Sequence, residues 1–152
     1  MSVDVYVDSD WAGCLQTRRS TSGGLVVVGG GTVKSWSSTQ GSIALSSGEA
    51  EYYAAVKGAC EGLGVVSLLK DMGQEARSTV HIDSTSGKAI ASRTGVGKVR
   101  HMDTRYLWLQ EVKKSGKLIM KKILGAALEI AVRFFFSNFT YSFGGRTYIQ
   151  CY

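Results

Sequence analysis

The segment from Ser46 to Met72 constrains the fold more than any other, because it is long and has a helix start signal before it and a helix stop signal after it. Ser46 and Glu49 have the spacing of a capping box, in which both side chains accept hydrogen bonds from backbone N–H groups at the start of a helix. Gly73 then follows, and glycine often ends a helix. The segment therefore predicts one long helix between two β-rich regions.

Three β-rich runs precede this helix. Residues Val3 to Val7 alternate apolar and polar side chains, which is typical of a half-buried strand. The runs Leu25 to Val28 and Thr32 to Ser37 are joined by Gly29-Gly30-Gly31 and predict the two arms of a hairpin. Together the three strands predict an antiparallel meander.

The elements after the helix complete the fold class. Residues Thr79 to Asp83 are typical of a short strand, a short helix is predicted near residues 86 to 92, and the basic stretch from Thr94 to His101 is typical of a loop. A second long helix is predicted over Arg105 to Lys114 and a final strand over Lys117 to Ile123. This order predicts an α/β domain with a mixed sheet.

Two aspartates stand at the ends of predicted strands. The long helix is a crossover connection, which permits the strand Thr79–Asp83 to lie parallel to the first strand, with both carboxyl ends at one edge of the sheet. If the two strands are neighbours, Asp8 and Asp83 lie roughly 5 Å apart, close enough to bind the same divalent cation. Two bare carboxylates that close repel each other unless a cation neutralises them. Each aspartate alone is also typical of a turn at a strand end.

The long helix begins with two acidic residues in different surroundings. Glu49 is accounted for by the capping box. Glu51 begins a helix face of mostly small residues, which lets the helix approach the sheet closely and brings the Glu51 carboxylate to the edge that holds Asp8. As an alternative, Glu51 is a first-turn glutamate favoured by the helix dipole. The face consists of Ala55, Gly58, Ala59, Gly62, Val66 and Leu69.

Asp103 and His101 precede the second long helix. Asp103 occupies the position of a helix N-cap, which explains it without any further role. His101 is either a surface loop residue or, because the pKa of histidine lies near neutrality, a proton carrier or phosphate contact beside bound metal ions. The other histidine, His81, lies on the predicted strand that ends at Asp83 and is interpreted as structural.

Composition excludes several classes of protein. The chain has 152 residues, 44% of them hydrophobic and 20% charged, which is typical of one globular domain. No stretch has the roughly 18 uninterrupted apolar residues of a membrane span, because Glu129 and Arg133 interrupt the run from Leu124 to Phe136. The N-terminus lacks the basic start and apolar block of a secretory signal. The cysteines are scattered along the chain, so we expect neither a disulfide nor a zinc site. They are Cys14, Cys60 and Cys151.

The formal net charge of +6 is moderate, and the cations occur in groups. A protein that binds a phosphate polyanion concentrates its cations where the polyanion lies. Any one group taken alone is also typical of a solvated face. The three groups are Arg18 and Arg19; Arg93, Lys98, Arg100 and Arg105; and Lys113, Lys114, Lys117, Lys121 and Lys122.

Five segments occur in an order that is specific to one family. They are Asp8-Ser9-Asp10-Trp11-Ala12-Gly13, Arg19-Ser20-Thr21-Ser22-Gly23, Ala44-Leu45-Ser46-Ser47-Gly48-Glu49-Ala50-Glu51-Tyr52, Ile82-Asp83-Ser84 and Arg100-His101-Met102-Asp103-Thr104-Arg105-Tyr106. In this order they resemble the ribonuclease H domain of copia-type (Pseudoviridae-like) LTR retrotransposon polyproteins, over roughly Val3 to Ile123. The resemblance implies a ribonuclease H-like fold, with three antiparallel strands and then parallel strands in a five-stranded mixed sheet flanked by helices.

The resemblance also implies an activity. The family hydrolyses the RNA strand of RNA–DNA hybrids by two-metal-ion catalysis during reverse transcription, using two Mg²⁺ ions or Mn²⁺ in their place, and leaves 5′-phosphate and 3′-hydroxyl ends. The expected partners are the hybrid and the reverse transcriptase domain of the same polyprotein. The expected location is the cytoplasm, within the retrotransposon particle, or the nucleus, without secretion.

The site residues implied by the resemblance match those that the strand and helix geometry favours. The implied metal ligands are Asp8, Glu51, Asp83 and Asp103, and the implied catalytic residues are these four with His101. Asp10 belongs to the motif in a supporting role. The expected nucleic-acid contacts are Arg18, Arg19, Lys98, Arg100 and Arg105.

The resemblance ends near Leu124. The Gly-Thr turn, Ala-Asp pair and Leu-Thr-Lys ending that family members usually carry are replaced by an aromatic tail, interpreted as frameshifted or foreign sequence. We therefore expect a ribonuclease H-like domain over residues 1–123 and a divergent tail over residues 124–152. Two other functions stay open: a catalytically decayed nucleic-acid-binding remnant of such an element, and another nuclease or integrase on the same fold.

Overall fold

The computed structural model describes residues 1–83, 85, 89, 92, 107–123, 140–143 and 146–149. Its main elements are the strands β1 (Ser2–Asp10), β2 (Thr21–Val28), β3 (Gly31–Thr39), β4 (Arg77–Ile82) and β5 (Leu118–Lys122), and the helices α1 (Ser47–Asp71) and α2 (Trp108–Lys114). Two further strands, β6 (Thr140–Phe143) and β7 (Arg146–Ile149), pair with each other in a separate sheet.

The main sheet has five strands in the order β3-β2-β1-β4-β5. β1 pairs antiparallel with β2, and β2 with β3, whereas β4 is parallel to both of its neighbours, β1 and β5. Val80 of β4 lies opposite Val5 of β1 on one side and Met120 of β5 on the other. The helix α1 makes the crossover that parallel pairing of β1 and β4 requires. The structure therefore confirms the predicted mixed α/β sheet.

A two-residue turn joins β2 and β3. Gly29 has a φ of 57° and Gly30 a φ of 83°, and glycine adopts such angles without steric cost. Two consecutive positive φ angles are typical of a type I′ turn, whose twist matches that of the paired strands. The predicted hairpin is confirmed, although Gly31 belongs to β3 rather than to the turn.

The helix α1 packs directly on the sheet because its inner face contains glycines. A Cβ atom at Gly58 would lie 2.4 Å from Cγ1 of Val7, and one at Gly62 would lie 2.4 Å from Oγ of Ser78. Larger side chains at these positions would have to push the helix outward. Val5 and Val7 of β1 are fully buried at this contact. The predicted close approach of helix and sheet is confirmed.

Side chains hold the start of α1. Ser46 is the N-cap residue, and its Oγ accepts a hydrogen bond of 3.2 Å from the Glu49 N–H. The Glu49 carboxylate accepts hydrogen bonds from the Leu45 N–H at 3.2 Å and from the Tyr53 hydroxyl at 2.5 Å. The capping box therefore forms with its reciprocal bond one residue earlier than expected. Glu49 is buried and committed to this network.

Some boundaries differ from the sequence expectations. β1 extends to Asp10 rather than Val7, because its pairing with β2 continues as far as the pair of Asp10 and Thr21. Residues 105 and 106, and most of the predicted helix at 86 to 92, lie outside the described residues.

Within the part of the chain that the structure describes, no helix is both long enough and apolar enough to cross a membrane.

Candidate metal centre

Three carboxylates meet where β1 and β4 end. These strands are parallel, with Tyr6 opposite His81, so Asp8 and Asp83 follow at the same edge of the sheet. Glu51 reaches this edge from the first turns of α1. One carboxylate oxygen from each of the three acids lies within 4.8 Å of the other two. The structure thus brings together three of the expected metal ligands.

Ser9 connects two of these acids and was not among the expected site residues. Its Oγ donates a hydrogen bond of 2.8 Å to Oε1 of Glu51. Its N–H lies 2.8 Å from Oδ1 of Asp8 and 3.3 Å from Oε1 of Glu51. Because side chains alternate along a strand, Ser9 shares the face of Val7, which is the face that α1 covers. That alternation was the signal that could have identified Ser9.

The Glu51 carboxylate is buried without enough compensating charge. The residue is 8% exposed, and its Oε2 has no hydrogen-bond partner among the described residues. Burial, followed by the charges of Asp8 and Asp83, raises the pKa of Glu51 to about 8. A divalent cation would supply the missing positive charge, and carboxylate oxygens are the ligands that hard divalent cations prefer. The residues present therefore fit a divalent metal ion.

Asp8 experiences the same two effects. Burial raises the pKa of Asp8, and repulsion from Asp83 and Asp10 raises it further. A hydrogen bond from the Ser9 N–H acts in the opposite direction. Without a cation, the cluster is therefore expected to retain a proton near neutral pH, and ligand deprotonation couples metal binding to pH.

The other expected site residues fall into two sets. Arg18 and Arg19 are exposed in the connection from β1 to β2, which starts at the acidic edge. Backbone hydrogen bonds close this connection, because the Arg18 N–H donates to the Cys14 carbonyl at 2.7 Å and the Cys14 N–H donates to the Arg19 carbonyl at 3.2 Å. The second set lies outside the described residues and consists of Lys98, Arg100, His101, Asp103 and Arg105.

His81 makes contacts that agree with a structural role. Its Nε2 lies 2.8 Å from Oδ1 of Asp4, and its ring stacks on Tyr6 with 4.6 Å between ring centroids. Ser2 donates a hydrogen bond of 2.7 Å to the other oxygen of Asp4. These contacts use the imidazole to join β1 to β4.

Lys122 places a cation beside the acidic edge. It lies opposite Ile82 in the parallel pair of β4 and β5, next to the position of Asp83. Its side chain is exposed, and its Nζ donates a hydrogen bond of 2.5 Å to Oγ1 of Thr85. In the sequence, Lys122 was expected only as one member of a group of lysines. The position of Lys122 at the end of a strand parallel to β4 is the signal that distinguishes it from the other lysines.

The sequence is similar to part of a retrotransposon protein, although no family model matches it. It is 32% identical over 120 residues to the Retrovirus-related Pol polyprotein from transposon TNT 1-94 of Nicotiana tabacum, across 78% of this chain and 9% of that protein. It is 53% identical over 49 residues to Secreted RxLR effector protein 161 of Plasmopara viticola, across 32% of this chain and 34% of that protein. The chain therefore spans about a third or less of the length of these relatives.

The fold is similar to that of solved ribonucleases H1. LC11-RNase H1, isolated from compost by a metagenomic approach, has a TM-score of 0.59 at 19% identity, over 87% of this chain and 93% of that chain. The same protein in complex with an RNA/DNA hybrid has a TM-score of 0.50 at 14% identity, over 86% of this chain and 94% of that chain. At these identities the similarity establishes the fold.

Proposed function

The chain is a ribonuclease H-fold domain homologous to retrotransposon Pol polyprotein, consistent with the copia-type element that its motifs resemble, and from this premise we propose that it cuts the RNA strand of RNA–DNA hybrids during reverse transcription. The observation that carries the proposal is the cluster of Asp8, Glu51 and Asp83, whose oxygens lie within 4.8 Å of one another. Acids this close at a strand edge need cations to be ionised together.

The proposed role of the cluster is to hold metal ions. Asp8, Glu51 and Asp83 would bind two Mg²⁺ ions, or Mn²⁺ in their place, with Asp103 as a fourth ligand. Such ions, when bound, lower the pKa of water and stabilise a departing oxyanion. Ser9 would keep Glu51 aimed at the site through its hydroxyl.

Other residues would handle protons and phosphates. We assign His101 to proton transfer or to a phosphate contact, because its intrinsic pKa lies near neutrality. The reverse transcriptase domain of the same polyprotein is the proposed partner, because the related Pol polyprotein is much longer than this chain. Residues 1–123 would form the catalytic domain, and residues 124–152 a divergent tail. The proposed phosphate contacts are Arg18, Arg19, Lys98, Arg100 and Arg105.

Cleavage of a hybrid labelled on its RNA strand, in Mg²⁺, tests the proposal. We expect Asp8→Asn, Glu51→Gln and Asp83→Asn each to lower the rate by more than the roughly 100-fold that loss of an outer-shell partner costs. Asp71→Asn is the matched control, because Asp71 is an exposed acid at the far end of α1. Circular dichroism checks that every variant is folded, and end-labelling should find 5′-phosphate and 3′-hydroxyl products.

Other results would identify the competing functions. Near wild-type cleavage by any of the three cluster variants would contradict the proposal. Hybrid binding with a steep salt dependence but no cleavage in Mg²⁺ or Mn²⁺ would indicate a decayed nucleic-acid-binding remnant. Cleavage of duplex DNA in preference to hybrid would indicate another nuclease on this fold.

A further inference from the structure

The acidic edge has an exposed tryptophan beside it that the metal cluster leaves without a role. Trp11 directly follows β1, three residues after Asp8, and is 51% exposed. Trp36 and Trp108, in contrast, pack against the hydrophobic core. Exposing half of an indole to water is unfavourable, since large aromatic side chains gain most from burial. Such a residue at the edge of a site is a candidate for contact with a ligand.

Trp11 is held in place rather than free to move. Its only polar atom, Nε1, donates a hydrogen bond of 3.1 Å to the carbonyl of Ala44 in the connection from β3 to α1. The bond satisfies the indole N–H and leaves the ring available for apolar contact. The side chain is thereby fixed at two points, its backbone and the far side of the ring, so little rotamer entropy remains to be lost on binding.

The backbone next to Trp11 is also fixed. Ala12 has a φ of 53°, a conformation that non-glycine residues adopt only when their surroundings impose it. The Ala12 N–H donates a hydrogen bond of 3.1 Å to Oγ of Ser20, which is fully buried. The Ser20 carbonyl accepts a hydrogen bond of 2.8 Å from the Gln40 N–H, and Gln40 in turn donates to the carbonyl of Ala50 in α1. The turn is therefore anchored to the helix that carries Glu51.

Two exposed apolar side chains flank the acceptor of the Trp11 hydrogen bond. Ile43 is 53% exposed and Leu45 is 65% exposed, on either side of Ala44. The edge thus has an acidic part, which suits cations and phosphate chemistry, and an apolar part beside it. In a duplex the bases are already stacked, so the apolar surface that the substrate offers at such a place is the C–H face of a sugar.

We infer that Trp11, with Ile43 and Leu45 beside it, packs against a sugar of the nucleic acid next to the phosphate that lies at the acidic cluster. The inference rests on the proposed function for its ligand and adds a binding residue to it. Trp11 fixes the register of the strand at the cluster by shape, whereas the exposed arginines hold it by charge. The alternative is that the same surface docks on another domain of the polyprotein, and the experiment must distinguish this from contact with the nucleic acid.

Two measurements test the role of Trp11. In an Asp83→Asn background in Mg²⁺, acrylamide quenching of tryptophan fluorescence is compared with and without hybrid. We expect hybrid to protect the fluorescence of the parent protein, and the protection to be absent in Trp11→Phe. In the active protein, Trp11→Ala should raise the KM for hybrid roughly fivefold, the low end of the range for an aromatic side chain stacked on a base, because a sugar offers less contact area than a base; kcat should be nearly unchanged.

The controls make the inference independent of folding and of catalysis. Leu68→Ala removes an equally exposed apolar side chain near the other end of α1 and should leave KM unchanged. Equal quenching with and without hybrid in the Asp83→Asn protein, or an unchanged KM in Trp11→Ala, would overturn the inference even if the natural chain cleaves hybrid. Protection by a reverse transcriptase domain but not by hybrid would also overturn it. Protection by hybrid without any cleavage by the natural chain would refute the proposed function and leave the contact standing.

Discussion

Replacing Glu51 by glutamine tests whether the buried carboxylate is an unfavourable charge in the metal-free protein. Burial raises the pKa of Glu51 from 4.5 to about 8, so the folded chain keeps a proton that the unfolded chain releases. The stability that comes from this proton is fully present below the unfolded value of 4.5 and is lost as the pH rises through about 8. Glutamine removes the charge and keeps the size of the side chain.

The shifted pKa sets the magnitude of the effect. A change from 4.5 to about 8 corresponds to roughly 5 kcal/mol of unfolding free energy, at about 1.4 kcal/mol for each pH unit. Asp8 also has a raised pKa and can take up a proton in place of Glu51, so the two carboxyls share this free energy. We therefore expect Glu51→Gln to be more stable than the natural chain by about 2 to 3 kcal/mol at pH 9 and nearly equal to it at pH 5.

Urea unfolding followed by circular dichroism, in EDTA from pH 5 to pH 9, measures this difference. Subtracting the unfolding free energies of the two proteins at each pH cancels the contributions of the ionisable groups that they share. Adding Mg²⁺ at pH 8 should restore stability to the natural chain more than to the variant, because only the natural chain retains all three carboxylates. Stability curves that stay parallel across this pH range would refute the reasoning.

Glu49→Gln is the control for this experiment. The Glu49 carboxylate accepts hydrogen bonds from the Leu45 N–H and the Tyr53 hydroxyl and belongs to the helix start rather than the acidic cluster. Glutamine turns an amide donor toward one of these donors, which costs about 1 to 3 kcal/mol. We expect this variant to lose stability at every pH without the pH-dependent difference of Glu51→Gln.

Three further predictions concern packing, charge and the tail. Gly58→Ala should lower the free energy of unfolding by about 1 to 3 kcal/mol. Gly64→Ala, whose Cβ meets nothing within 4 Å, should raise it by up to about 1 kcal/mol. Equal urea midpoints for the two variants would contradict this. Because Lys122 lies beside the acidic edge, we expect Lys122→Ala to reduce the slope of the logarithm of the hybrid binding constant against the logarithm of salt concentration by about 0.9. Lys117→Ala, at the other end of β5, should change this slope less, and equal changes would count against a phosphate contact at Lys122. A chain ending at Ile123 should keep its fold and its hybrid cleavage, because β6 and β7 pair in a separate sheet; loss of either would refute the domain boundary.

The topology was predictable because each of its signals is local. The capping residues Ser46 and Glu49 and the stop signal at Gly73 identified α1, and the glycine turn identified the hairpin. A crossover helix between β1 and β4 permitted their parallel pairing. That the two strands are neighbours was only a condition of the prediction, and the structure shows that they are. Small residues along α1 then indicated that Glu51, not Glu49, would face the sheet edge, which agrees with the observed cluster.

Other features were not predicted from the sequence, for different reasons. Alternation along β1 indicates the face of Ser9 but not its partner, because Ser9 bonds to Glu51 only when a strand and a helix distant in sequence are brought together. β1 extends to Asp10 because β2 supplies a partner there, although the apolar alternation has ended. The strands β6 and β7 were not predicted, because the tail departs from the family pattern; the Gly144-Gly145 pair between two β-rich runs was a hairpin signal in the sequence.

The glycines of α1 also have a consequence for ion choice. Gly58 and Gly62 lie about two and three turns beyond Glu51, and their contacts with the sheet set the gap between the glutamate and the two strand aspartates. Magnesium demands an octahedral shell at about 2.0 to 2.1 Å, whereas calcium accepts a looser one at about 2.3 to 2.6 Å. A substitution in the apolar core that lifts the helix by a few tenths of an ångström would therefore widen the acidic cluster and, if the cluster holds Mg²⁺ as proposed, weaken discrimination between the two ions while all three proposed ligands are unchanged.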